Sequence, residues 1–158
     1  ILLDLFCGAG GAGMGYHRAG FDVVGVDLAP QPRYPFRFVR GDALDYLAAH
    51  GAEFDAVHAS PPCQMFSAYR RSRPERGDEC YVNLIPETRD ALLASGLPYV
   101  IENVPGAPLR SPLMICGSMF DPPLDVQRHR LFEASLTIEP PTWPCRWPSS
   151  RPPWGSTG

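Results

Sequence analysis

The feature that most constrains this chain stands at its start. An apolar run over residues 1–6, interrupted only by Asp4, passes directly into a stretch with glycine at positions 8, 10, 11, 13 and 15. A short continuous apolar run bounded by turn signals reads as a strand buried on both faces. Glycines at its end let the backbone turn sharply and leave room for a ligand to approach the main chain. Together they predict a first strand, a glycine loop and a helix, the opening of a βαβ unit in a mostly parallel sheet.

The alternation continues through the first half. Residues 14–19 read as a short helix stopped by Gly20, and residues 21–26 as a second strand ending at Asp27. A proline-punctuated connection over 30–35 stands where a crossover helix is usual, before a short third strand at 36–39. Residues 43–49 read as a helix, 54–58 as a fourth strand, and 60–83 as a long polar loop, a length that is usually functional. A helix over 86–95 has Pro86 at its first position and Gly96 after its end, and it leads to a strand at 99–101 with Glu102 directly after it. A short strand is expected at 113–116, and residues 131–138 are expected to return to the sheet. Residues 1–138 thus form one α/β domain. Residues 139–158 hold all three tryptophans and six prolines, the composition of a peripheral tail or truncated linker.

Composition narrows the function. A chain of 158 residues accommodates one ordinary domain. No stretch reaches the roughly 18 apolar residues of a membrane helix, and no leader pattern opens the chain, so a soluble cytoplasmic protein with no membrane partner is expected. The five cysteines, at 7, 63, 80, 116 and 145, include no C-x-x-C pair, so neither a disulfide framework nor a metal site is predicted. A net charge of −3 excludes a protein that grips a polyanion over its whole surface but leaves room for a local basic patch. Arg70, Arg71, Arg73 and Arg76 form one.

In open parallel sheets the ligand site lies beyond the carboxyl ends of the strands. Gly8, Asp27, Asp42, the run Pro61-Pro62-Cys63-Gln64 and Glu102 all follow predicted strands and would gather at that edge. Asp27 suits the two hydroxyls of a ribose. Asp42 suits an adenine amino group or, equally, the N-cap of the next helix. Two prolines preset an extended backbone that presents Cys63, while Glu102 supplies a carboxyl group and Arg128 and Arg130 supply guanidinium forks.

The signatures Phe6-Cys7-Gly8-Ala9-Gly10-Gly11, Pro61-Pro62-Cys63-Gln64, Glu102-Asn103-Val104 and Arg128-His129-Arg130 occur in this order over residues 1 to 133. In that combination the chain resembles the C5-cytosine DNA methyltransferase family. The resemblance implies a Rossmann-like methyltransferase fold with residues 1–138 as the catalytic domain and S-adenosylmethionine as cofactor. Phe6, Cys7, Gly8, Ala9, Gly10, Gly11, Asp27, Leu28, Asp42, Ala43 and Pro61 would hold that cofactor. Cys63 would add to C6 of cytosine, with Glu102 at N3 and Arg130, assisted by Arg128, near O2 to stabilise the charge that develops there. Methyl transfer to C5, loss of the C5 proton and expulsion of the thiol would complete the reaction.

The implied partner is duplex DNA with its target cytosine flipped out. Pro62, Gln64, Ser67, Asn103 and the four arginines would contact base or backbone, with Asn103 also positioning the Glu102 loop. Val126 departs from the family, which has glutamine there; Gln127 comes one position late. Neither the family's target-recognition domain nor its terminal motif follows the arginine signature, so a fragment or a minimal phage-type enzyme is expected. Two other readings stay open: a methylase of free cytosine nucleotides or RNA, and a non-catalytic module that binds cofactor or DNA.

Simultaneous replacement of Arg70, Arg71, Arg73 and Arg76 by alanine is expected to weaken DNA binding while leaving cofactor binding intact. Each lost phosphate contact removes about 0.9 from the slope of log affinity against log salt, so losing four flattens it by roughly 3 to 4. An unchanged slope in the quadruple variant would show this stretch to be solvated surface.

Overall fold

In the computed structural model, which describes residues 1–67 and 81–146, β1 (Leu2–Leu5) is the spine of a seven-stranded sheet. It pairs in parallel with β2 (Val23–Asp27) on one side and β4 (Ala56–Ala59) on the other. The strand order is β3-β2-β1-β4-β5-β7-β6, with β3 (Arg37–Arg40) parallel to β2 and β5 (Tyr99–Asn103) parallel to β4. β7 (Arg130–Ala134) runs antiparallel to both β5 and β6 (Leu113–Ile115), so among the described residues it alone opposes the common strand direction. The central position of β1 accounts for its burial: Leu2, Leu3 and Leu5 are all but inaccessible and join Val26, Val57 and Ile101 in the core. The arginine cluster at 70, 71, 73 and 76 lies outside the described residues.

The first helix, α1 (Gly11–Arg18), begins inside the glycine stretch, earlier than residue 14. Gly10 makes this possible by taking a left-handed conformation at φ 87° as the N-cap, a geometry that costs glycine little. α2 (Ala43–His50) is capped by Asp42, whose Oδ1 accepts from the backbone N–H groups of Leu44 at 2.8 Å and Asp45 at 3.1 Å. Of the two roles open to Asp42, the cap is the one the geometry displays. α3 (Ile85–Ser95) has proline in its first turn and left-handed Gly96 after its end, and α2 packs on it. β5 extends two residues beyond the predicted 99–101, because β7 supplies hydrogen-bonding partners: Glu102 stands opposite Phe132 and Asn103 opposite Leu131. Glu102 therefore belongs to the strand end and not to the loop after it.

The connection from β2 to β3 contains no helix. Tyr34 takes up the space instead, lying so close over Gly25 that a Cβ there would sit 2.2 Å from its ring. Its hydroxyl donates to Asp4 Oδ2 at 3.1 Å, which ties the connection to β1.

β7 is held by a buried ion pair. Arg89 on α3 donates from Nε to Glu133 Oε1 and from Nη2 to Glu133 Oε2, both at 2.7 Å, and Nη2 also reaches the Pro108 carbonyl at 3.0 Å. The Arg110 N–H donates to Glu133 Oε2 at 2.6 Å. Removing one partner of such a pair strands the other charge, at a cost of about 3–5 kcal/mol. Denaturant melts of Arg89→Ala and Glu133→Ala should show that loss, with the double variant Arg89→Met/Glu133→Leu clearly less damaged. A loss below about 1 kcal/mol in both single variants would mean that the pair does not hold β7.

Candidate functional site

The loop after β1 turns on three left-handed residues, Phe6 at φ 57°, Gly8 at φ 49° and Gly10 at φ 87°. Asp27 at the end of β2 joins this loop to its own: Oδ2 accepts from the Gly8 N–H at 3.0 Å and Oδ1 from the Ala29 N–H at 2.9 Å. A Cβ added at Gly8 or Gly11 would meet nothing within 4 Å, so the backbone there borders open space. Gly10 differs, since a Cβ would lie 2.7 Å from Pro35. Ala9 is exposed, as is Leu28 at 71%, while Ala43, the first residue of α2, is buried. Phe6, Gly8, Gly11, Asp27 and Leu28 thus share one sheet edge. Cys7 is buried behind it, and burial, with the charges of Asp4 and Asp27, pushes its thiol up to about 12. It stays a neutral thiol.

Pro61, Pro62 and Cys63 follow β4. Asn103, only 1% exposed, donates its side-chain N–H to the Pro61 carbonyl at 2.9 Å, and its Oδ1 accepts from the Val104 N–H at 2.9 Å. Oxygen and nitrogen of that amide both bond within the protein, so Asn103 pins the Pro-Pro-Cys loop to the end of β5. The half-buried Cys63 begins a turn in which its carbonyl accepts from the Phe66 and Ser67 N–H groups at 3.0 and 3.1 Å. Ser67 donates its hydroxyl to the Gln64 carbonyl at 3.2 Å, and the Gln64 side chain is exposed.

Next to this loop lies a cleft of about 540 Å³ whose walls include Tyr16, His58, Ser60, Glu102, Arg128 and Arg130. Arg130 Nε and Glu102 Oε1 stand 2.8 Å apart as a partly buried ion pair, and Arg130 Nη1 donates to the His129 carbonyl at 2.8 Å. Carboxyl and guanidinium therefore meet in one cleft. Cys63 is not among its lining residues; it follows Ser60, which is, by three positions.

One group in this cleft escapes the sequence reading. His58 is buried, with Nδ1 3.1 Å from the Tyr16 hydroxyl and Nε2 2.8 Å from Ser60 Oγ. Burial lowers its pKa to about 4, so the ring is neutral, and burial likewise raises the Tyr16 phenol to about 12. A histidine one residue before the end of an otherwise apolar strand is the signal that could have found it.

No protein-family profile matches the chain. Among curated proteins it is similar to the Type II methyltransferase M.XorII of Xanthomonas oryzae pv. oryzae, with 32% identity over 126 residues covering 67% of this chain and 28% of the relative. It is also similar to the Type II methyltransferase M.AgeI of Thalassovita gelatinovora, with 29% identity over 124 residues covering 66% of this chain and 28% of the relative. The chain therefore spans well under a third of the length of these relatives. Among solved structures, Spodoptera frugiperda DNMT2 superposes with a TM-score of 0.56 at 17% identity, covering 92% of this chain and 52% of that one. Entamoeba histolytica methyltransferase EhMeth gives a TM-score of 0.56 at 18% identity, covering 87% and 53%. These likenesses show the fold: a Rossmann-like methyltransferase sheet, as the order and direction of the strands indicate. The sequence relatives support a methyltransferase family for the chain.

Two buried groups at this site titrate in opposite senses. Asp4 is raised to about 7, chiefly by burial, with Asp27 adding to the rise and hydrogen bonds from Tyr34 and Gly13 opposing it. A carboxyl raised on folding contributes stability that is complete below the unfolded value near 3.8 and lost as pH climbs to about 7. His58, lowered from 6.5 to about 4, contributes stability that is present above 6.5 and lost as pH falls to about 4. Over pH 4–7 the two oppose each other, so Asp4→Asn should make stability rise more steeply with pH, and His58→Asn should make it fall. Melting temperatures across that window test this; parallel curves for both variants and the parent would contradict it.

Proposed function

We propose that the chain carries the catalytic core of a DNA cytosine-5 methyltransferase that uses S-adenosylmethionine. The observation that carries this reading is the Glu102–Arg130 pair in a cleft beside a cysteine loop pinned by Asn103. The glycine loop fits the cofactor: backbone bordering open space at Gly8 and Gly11, a carboxylate at Asp27, and exposed apolar Leu28 for an adenine face. Phe6, Gly8, Gly11, Asp27 and Leu28 would hold it, with Asp42 at the far side of the edge. When bound, S-adenosylmethionine supplies an electrophilic methyl group.

The chain's residues supply the rest. Cytosine C5 is a poor nucleophile until a thiolate adds to C6. Cys63 forms that S–C6 bond, and the electron pair displaced moves toward N3 and O2. Glu102 holds a proton at N3 and Arg130 faces O2, so both stabilise charge where it develops. After transfer solvent water takes the C5 proton, the C–H electron pair re-forms the C5–C6 double bond, and the S–C6 bond breaks with its pair on sulfur, releasing the thiolate. Because the target carbon is hidden in a duplex, the base enters the cleft flipped. Asn103 acts as a positioning residue by fixing the loop that carries Cys63. The likeness to Type II methyltransferases supports methyl transfer as the reaction.

Cys63→Ser is expected to abolish transfer of labelled methyl groups to DNA while leaving cofactor affinity nearly unchanged, because a hydroxyl is a far poorer nucleophile and the cofactor lies against β1 and β2. Duplex DNA carrying 5-fluorocytosine should trap the parent chain covalently, since fluorine does not leave as a proton does. Methylation retained by the serine variant would overturn the mechanism, and a denaturing gel without a shifted band would count equally against it.

A further inference from the structure

Away from the cleft, three metal-ligating side chains from three separate segments converge. Cys116 follows β6 and is 1% exposed, His129 precedes β7, and Cys145 lies in the segment after β7. One ligand atom from each falls within 4.8 Å of the others, and His129 Nε2 stands 3.2 Å from Cys145 Sγ. In a tetrahedral zinc site with bonds of about 2.3 Å to sulfur and about 2.0 Å to nitrogen, neighbouring ligand atoms are about 3.5–3.8 Å apart. The observed spacing needs only small side-chain adjustment to reach that geometry.

The surroundings are built as the support of thiolate ligands usually is. Ser118 Oγ lies 3.7 Å from Cys116 Sγ and 3.8 Å from Cys145 Sγ, so its hydroxyl can donate to either sulfur while its oxygen accepts from the Arg146 N–H at 3.0 Å. The backbone around the cluster is tightly fitted. At Gly117 a Cβ would lie 2.4 Å from Val126 Cγ1 and 2.9 Å from the Val126 carbonyl, so only glycine lets the irregular chain leading to His129 pass this close to residue 117. Two sulfurs and an imidazole are a donor set that selects zinc among abundant divalent ions, whereas calcium and magnesium require oxygen.

We propose that Cys116, His129 and Cys145 bind a structural zinc ion, with a further donor completing the tetrahedron. The metal ties the segment after β7 to the end of β6 and clamps the Arg128-His129-Arg130 segment from the side away from the cleft. Nothing in the methyl-transfer chemistry requires it, and the site stands whether or not the chain transfers methyl groups. The sequence gives no zinc spacing because the ligands come from distant parts of the chain and contain no C-x-x-C pair.

The test is metal analysis of the full chain, expressed with zinc supplementation and purified in a metal-free, non-thiol reductant. About one zinc per chain is expected, retained through desalting, with a lower melting temperature after chelation. Replacement of the metal by cobalt should give the intense visible absorption and thiolate charge-transfer bands of a tetrahedral sulfur-containing site. His129→Ala or Cys145→Ser should weaken binding by at least about 100-fold, and Ser118→Ala by about 10-fold or more. Cys63→Ser should keep the full metal content. A parent chain that stays metal-free under reductant would overturn the proposal. So would stoichiometric zinc retained in the double variant Cys116→Ser/His129→Ala, or a folded parent whose cobalt spectrum is that of octahedral oxygen ligation.

Discussion

The buried pair of Arg89 and Glu133 sets the conditions under which the rest of the site exists. Glu133 stands opposite Ile101, and this register is what brings β7 alongside the end of β5. Side chains alternate along a strand, so a slip of one residue would turn every side chain of β7 to the opposite face. Arg130 would then leave Glu102. A charged pair is an expensive way to hold a strand unless every lone pair is answered. Here the Pro108 carbonyl and the Arg110 N–H complete the network, so that α3, the loop around residues 108–110 and β7 are fixed by one set of hydrogen bonds.

At the opposite half of the sheet the glycines divide into two kinds that the sequence alone does not separate. Gly10, Gly13 and Gly25 surround Tyr34, and each would place a Cβ at 3.0 Å or closer to that ring, its hydroxyl or its neighbour Pro35. Those glycines exist to admit a side chain of the protein itself. Gly8 and Gly11 border open space. Only the second kind leaves main chain accessible to a ligand, and Asp27 holds that stretch in place by accepting from Gly8.

What the sequence makes legible is what local pattern determines. The buried runs of β1 and β2, the capped α2, the proline-started α3 and the chain order of the strand-end residues all follow from periodicity and turn chemistry. The misjudged features depend on partners far along the chain. β5 is longer than its apolar run because β7 pairs with Glu102 and Asn103. Asn103 is legible as a residue that positions a loop, but its partner is not: the amide reaches the Pro61 carbonyl, 42 positions away. His58 is hidden by the opposite effect: its strand reads as core, and only the fold brings Tyr16 and Ser60 to its two nitrogens.

The arginine signature shows how one extended segment serves two faces. In an extended chain successive side chains point to opposite sides, so residues 128 and 130 share one side and residue 129 takes the other. Arg128 and Arg130 line the cleft with Glu102, while His129 Nε2 reaches Cys145. The cleft face is therefore set by two constraints of different origin. The Glu102 carboxylate draws Arg130 inward from the front, and the packing of Val126 over Gly117 with His129 against the cysteines fixes the backbone from behind. A long arginine side chain has much rotamer freedom to lose, so holding its backbone rigidly and one of its nitrogens on a carboxylate reduces what must be ordered when a substrate arrives. The histidine between the two arginines thus has a physical reason to be there that the cleft alone does not supply.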